Sequence, residues 1–94
     1  MRYSLLENTM RVLSLSRKGS FITKAERVLK LDHRTVTKAI GILSKNELVN
    51  VWIEIKGLTP NKKTFTISPK GREVLVIWID LCKRLGEDYS AYLC

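Results

Sequence analysis

Ninety-four residues with an ordinary apolar share of 45% are enough for one core without metal or obligatory disulfides. A net charge of +8 and a sequence pI near 9.8 point to a polyanionic partner, either nucleic acid or an anionic membrane surface. The most apolar run, Val74 to Ile79, closes at Asp80, far short of the roughly 20 residues of a membrane span. The N-terminus lacks the basic start, apolar run and small-residue cleavage site of a signal peptide, so an intracellular, cytoplasmic protein is expected.

Ser4-x-x-Glu7 is a capping box that opens a first helix, with Leu6, Met10 and Leu13 at helical spacing and Leu5 and Val12 beside them. Gly19, after Arg17-Lys18, suits the left-handed residue that closes a helix. Ser20-Phe21-Ile22 is too short for a helix and reads as a small extended segment. Thr23-x-x-Glu26 is a second capping box, predicting a short helix with Ala25, Val28 and Leu29 inward. Asp32 is a good N-cap for a third helix, in which Val36, Ala39, Ile40 and Leu43 form the buried stripe. At about 100° per residue, Arg34, Lys38, Gly41 and Lys45 fall on the opposite side, with Thr35, Thr37 and Ile42 flanking them. This helix should end at Lys45-Asn46. Two short helices around a tight turn, the second basic on its outer face, are the layout of a helix-turn-helix.

From Val49 the apolar period changes from helical to alternating. Val49, Val51, Ile53 and Ile55 alternate with Asn50, Trp52, Glu54 and Lys56, predicting a half-buried strand with Trp52 on its outer face. A turn-rich stretch from Lys56 to Lys63 follows, and then Thr64 to Ser68 alternates again with Phe65 and Ile67 inward. The two strands make a hairpin with a basic tip. Ser68-Pro69 combines a capping hydroxyl with proline at the first helical position, predicting a last helix that runs to about Leu85 and ends or kinks at Gly86. Its middle is apolar on every face, and such a helix must be covered on two sides. The domain can cover one, so a second protomer is expected on the other, meeting Val74, Ile77, Trp78, Leu81, Leu85, Tyr89, Tyr92 and Leu93.

Charge divides the chain in the same place. Residues 1–72 hold fifteen Lys or Arg against five acids, a net +10, whereas residues 73–94 hold two bases against four acids, a net −2. The division expected is therefore a nucleic-acid-binding part over 1–70 and a C-terminal dimerisation helix and tail over 71–94. Two cysteines, Cys82 and Cys94, are too few for a zinc site and do not form a CxxC motif. In an unbroken helix they would lie about 18 Å apart, beyond disulfide reach, so an in-chain bridge would need a reversal at Gly86. Cys82 reads most simply as a small core residue. Cys94 has two readings, a disulfide to its counterpart across a two-fold axis or a free thiol.

The order helix, helix, helix, strand, hairpin tip, strand, helix resembles the winged-helix family, with a residue-level match over about 20–85. Asp32 to Val49 resembles the recognition-helix segment of MarR-like regulators, and Phe65 to Leu75 their second wing strand leading into the last helix. The short chain is also similar to compact winged-helix proteins of archaea and archaeal viruses. The fold class so implied is α+β, a three-helix bundle with a two-stranded wing and an additional C-terminal helix. The family usually has glycine where this chain has Glu47, and Asn46 is expected to take the left-handed cap one residue earlier. The long extra helices that shape an inducer pocket in larger members are missing, so no small-molecule effector is implied.

By the resemblance, a recognition helix of about 33–45 enters the major groove with Arg34, Thr35, Thr37, Lys38 and Gly41. Arginine can bind guanine O6 and N7 in a bidentate way, threonine can meet phosphate or a thymine methyl, and glycine lets a helix backbone approach closely. Lys45 continues this face. His33, without partners for a metal site or a nucleophile to activate, is a polar contact at the helix start. In the wing, about 56–63, Lys56, Lys62 and Lys63 would meet phosphate or the minor groove, and Lys24 would add a phosphate contact. No nucleophile, carboxylate pair or phosphate loop suggests an enzyme, and no cofactor or metal is implied. The reading is a homodimeric, sequence-specific regulator on double-stranded DNA, associated with the nucleoid, or in a host's cytoplasm if viral. The competing readings are an architectural DNA-binding protein of low specificity and a protein-interaction winged helix.

Overall fold

Hydrogen bonds local to the sequence decide where most of the helices begin. The computed structural model describes residues 4–54, 57 and 62–93. Helix α1 (Leu5–Leu15) starts with both halves of its capping box formed: the Glu7 amide donates to Ser4 Oγ and the Ser4 amide to Glu7 Oε1, each at 3.1 Å. Donation from Ser4 to the carboxyl, its backbone amide first and its hydroxyl second, holds Glu7 below the usual glutamate range. A 3-10 turn (Ser16–Lys18) carries the chain to Gly19, whose φ of +76° is open to glycine at little cost.

Strand β1 (Ser20–Phe21) is the expected extended segment, and it pairs antiparallel with β3 (Lys62–Ile67), placing Ser20 opposite Phe65. With β2 (Val49–Glu54) on the other side of β3, the sheet has three strands in the order β1-β3-β2. The hairpin is therefore held from both sides of its second strand. Val49 and Val51 oppose Ile67 and Phe65 across the ladder, and residues paired this way share a face. Val49, Phe65 and Ile67 are buried, but Ile53, opposite Lys63, is 62% exposed. The inward alternation therefore stops short of that end of the ladder. Ile55, Lys56 and residues 58–61, where the sequence predicts the hairpin tip, lie outside the described residues.

Pairing of β1 also explains why the second capping box is not built. Phe21 is still extended (φ −135°, ψ 161°), so α2 (Ile22–Leu29) begins directly after it, with Phe21 as a cap that offers no side-chain acceptor. Thr23 is then the second helical residue, and Glu26 turns away from the helix start toward α3 (His33–Lys45). Ala25 and Leu29 are buried as expected, but Val28 is not: it is 51% exposed. Arg11 ties α1 to α2, donating to Asn8 Oδ1 and to the Leu29 carbonyl at 3.1 Å each, a cation at a helix C-terminus.

Val36, Ala39, Ile40 and Leu43 of α3 are all buried, packed with Val12 and Leu13 of α1 and with Phe65. Leu13, Val36, Leu43 and Phe65 are wholly inaccessible, so truncating Phe65 to alanine is a cavity-forming change of about 3–5 kcal/mol. Helix α4 (Pro69–Arg84) is capped by Ser68, whose Oγ accepts from the Gly71 amide at 3.0 Å and donates to the Glu47 carbonyl at 2.7 Å. The Ser68 amide donates to the Leu48 carbonyl at 3.0 Å. A Cβ on Gly71 would lie 2.9 Å from Ile67 Cγ1 and 3.0 Å from the Leu48 carbonyl carbon, so only glycine lets α4 rest on the start of β2.

Helix α4 ends where expected. Gly86 has φ +71°, and the Glu87 amide closes back on the Cys82 carbonyl at 2.9 Å. The chain then reverses and a 3-10 turn (Ser90–Tyr92) returns Tyr92 to α1 and α4. Cys94 lies outside the described residues. Among those residues, no helix is long and apolar enough to cross a membrane.

Candidate nucleic-acid interface

Helix α3 carries the predicted functional residues on one open face. Asp32 begins it, with Oδ1 accepting from the Thr35 amide at 2.8 Å. The bonds from Thr35, hydroxyl first and amide second, hold the Asp32 carboxyl below the usual aspartate range. Because Val36, Ala39, Ile40 and Leu43 commit one side of the helix to the core, the other side is held outward without choice. His33, Arg34, Thr37, Lys38, Gly41 and Lys45 are all exposed, while Thr35 is half-buried. Space around Gly41 is open: a Cβ there would meet nothing within 4 Å.

Three further features border this face. His33 Nδ1 stands 2.7 Å from Glu26 Oε1 of α2, and its Nε2 stands 3.4 Å from Thr37 Oγ1, one turn along α3. Leu5 and Asn8 of α1 join Arg34, Thr35 and Lys38 around a shallow groove of about 300 Å³. The sequence gives no sign of that neighbourhood, because it depends on how α1 crosses α3. Lys24 on α2 is half-buried, and Lys63 on β3 is exposed. Lys62 lies in β3 with its side chain outside the described part, as does all of Lys56. Among the described residues no group of His, Cys, Asp or Glu is assembled that could hold a metal ion.

Compared with solved structures, this arrangement is familiar. It matches smu.1704 from Streptococcus mutans with a TM-score of 0.80 at 16% identity, over 92% of this chain and 87% of the other. The chain has the winged-helix fold. The same winged helix matches Bacillus subtilis PadR, solved in complex with operator DNA, with a TM-score of 0.69 at 19% identity over 76% of this chain. It spans only 45% of the length of that PadR chain. A PadR family transcriptional regulator from Eggerthella lenta matches with a TM-score of 0.66 at 22% identity, over 83% of this chain and 77% of the other. No protein-family model matches the sequence, and no curated protein matches it either.

Within this winged helix, two residues depart from what their types suggest. Lys30, after α2, and Glu47, after α3, are left-handed at φ +55° and +61°. Glu47 itself fills the position where glycine is usual, and Asn46 does not take it over: its φ is −96°. The amides of Glu47 and Leu48 bond the Ser44 and Leu43 carbonyls at 3.0 and 2.8 Å, and the Ser68 hydroxyl fixes the Glu47 carbonyl. Those bonds select the backbone conformation over the preference of the side chain.

The residues expected to meet a second protomer divide into two groups. Ile77, Leu81, Leu85 and Leu93 are exposed, at 66%, 45%, 67% and 53%. Val74, Trp78 and Tyr89 are half-buried against the chain's own core. Tyr92 corrects the expectation: it is 2% exposed within one chain, stacked edge-on against Trp78 with ring centroids 5.7 Å apart. Val76 on α4 and Leu6 on α1, both more than half exposed, belong to the open apolar surface instead. Leu6, Trp78, Leu81 and Leu85 line a groove of about 380 Å³ between α1, α4 and the C-terminal turn. Cys82, which also lines it, is buried, and that burial, with the carboxylates of Glu87 and Glu7, pushes its thiol up.

Proposed function

We propose that this protein is a sequence-specific double-stranded-DNA-binding transcription regulator that acts as a homodimer. The observation that carries the reading is the outward face of α3, where Arg34, Lys38 and Lys45 surround an unobstructed Gly41. A helix placed in the major groove needs donors for base edges and phosphates and a backbone that can come close. The likeness of Asp32–Val49 to MarR-like regulators and the likeness of the fold to PadR structures, one of them on operator DNA, support the same role. Arg34 reads bases, with Thr37 and Lys38 beside it, and Lys63 and its wing neighbours hold the backbone.

The exposed Val76, Ile77, Leu81 and Leu85, on a helix whose other side is already buried, are the surface a second copy covers. In such a pair two α3 helices would enter successive major grooves about 34 Å apart on a pseudo-palindromic site.

Selection of bound duplexes from a random pool tests the reading, followed by competition against random DNA at fixed salt. Arg34→Ala is expected to lower discrimination between selected and random duplexes, and Lys63→Ala to weaken both alike with a shallower salt dependence. Equal losses on both DNAs for both variants would remove the base-reading role and favour an architectural protein. Sedimentation of Ile77→Glu is expected to give a monomer where the parent is a dimer.

A further inference from the structure

The contact between Glu26 and His33 joins the two helices of the helix-turn-helix at the edge of its open face. An ionised carboxylate has no proton to give, so at 2.7 Å from Glu26 Oε1 the ring nitrogen Nδ1 must be the donor. In the neutral ring the proton is then spent on Nδ1, and Nε2 is left with a lone pair. Thr37 Oγ1, 3.4 Å from Nε2, is at the long end of hydrogen-bond range and rotatable, so it leaves that lone pair open to a closer donor. His33 is far more open than its partner, with 73% of its side chain exposed against 27% for Glu26. A half-buried anion on α2 thus sets the polarity of an exposed ring on α3.

We infer that Glu26 is a positioning residue that makes His33 a hydrogen-bond acceptor toward DNA, so that His33 selects base edges carrying an amino group. This rests on the DNA-binding reading above. In the major groove cytosine offers its N4 amino group and adenine its N6 amino group. Guanine presents only acceptors, and thymine an acceptor and a methyl group. A lone pair at Nε2 accepts from the first two and is repelled by guanine. Arg34, the next residue, carries only donors and selects guanine, so the two adjacent side chains read opposite polarities.

The test combines a spectrum of the free protein with site selection at about pH 8, above the range in which histidine side chains ordinarily titrate. In a long-range proton–nitrogen correlation spectrum His33 is expected as the Nδ1–H tautomer, shifting toward a mixture in Glu26→Gln, whose amide can either donate or accept. In the selection, one position of each half-site should prefer cytosine or adenine over guanine. His33→Ala should erase that preference and leave the other positions unchanged. Glu26→Gln should relax it by about tenfold. Circular dichroism of each variant confirms that it remains folded.

A proton on Nε2 in the parent overturns the inference even if the protein binds DNA specifically. So does a preference that survives both substitutions, or one for guanine that His33→Ala removes. If the parent binds no duplex, the DNA reading fails and takes the base preference with it, while the spectrum still decides whether Glu26 sets the ring.

Discussion

Replacing Glu47 by glycine should make the protein more stable, although it removes a side chain from the end of the proposed reading helix. Glu47 sits at φ +61°, where an L-residue is disfavoured by about 1–2 kcal/mol relative to glycine. Glycine's greater freedom in the unfolded chain returns about 0.4–1 kcal/mol of that. The expected net gain is about 0.5–1 kcal/mol, or roughly 2–8 °C in Tm for a chain of this size. Urea denaturation with an unchanged m-value measures it, and calorimetry gives the Tm. Two controls separate the causes. Asn46→Gly should destabilise, because φ there is −96° and the substitution loses the bond from Asn46 Nδ2 to the Ile42 carbonyl at 2.8 Å. Glu47→Ala should gain little, since it keeps the strained backbone. A gain in Glu47→Ala equal to that of glycine would mean that an acidic charge at the helix C-terminus, not backbone strain, was the cost. Stabilisation by Asn46→Gly with none from Glu47→Gly would refute the left-handed assignment outright.

Gly71→Ala should cost about 2–3 kcal/mol, read by urea denaturation, because the new methyl meets the Leu48 carbonyl and Ile67 Cγ1; a neutral result would show that α4 can lift off β2 without penalty. Gly41→Ala should instead stabilise by about 0.5–1 kcal/mol, since nothing lies within 4 Å, and weaken duplex binding by blocking close approach. Tighter binding by that variant would end the close-approach role. Asp32 supplies a pH dependence of known sign: its folded pKa is lowered by the bonds from Thr35, so its contribution is present above the unfolded pKa and lost as pH falls through the folded value. The stability difference between the parent and Asp32→Asn should shrink from about pH 4 downward, and a difference that grows in acid would contradict the cap.

What could be read from the sequence was what neighbours in sequence decide. The caps Ser4, Asp32 and Ser68 and the inward stripe of α3 depend on hydrogen bonds or periodicities a few residues long, and they form as expected. The cationic face follows from that stripe, since a helix with one committed side has little freedom on the other. Thr23-x-x-Glu26 misled because β1, paired to a strand more than forty residues later, holds Phe21 extended and moves the helix start. Glu26 was then free to cross to His33, a contact invisible in sequence. Asn46 was a reasonable left-handed residue by propensity, but the Ser68 hydroxyl, distant in sequence, fixes the Glu47 carbonyl. Tyr92 reads as an interface residue because the sequence does not show which way the chain leaves Gly86; the turn there brings the ring back onto Trp78.

Ser68 touches three elements with three hydrogen bonds: the end of α3 through the Glu47 carbonyl, the entry to β2 through the Leu48 carbonyl, and the first turn of α4 through the Gly71 amide. It behaves as a welded corner rather than a hinge. The angle between α3 and α4 is set there, within a few residues, and Gly71 leaves no slack for it to open. In a pair joined along α4, that corner would fix how far apart and at what tilt the two α3 helices stand. In the proposed complex the separation of the half-sites would then be written into one serine and one glycine, neither of them on the outward face of α3.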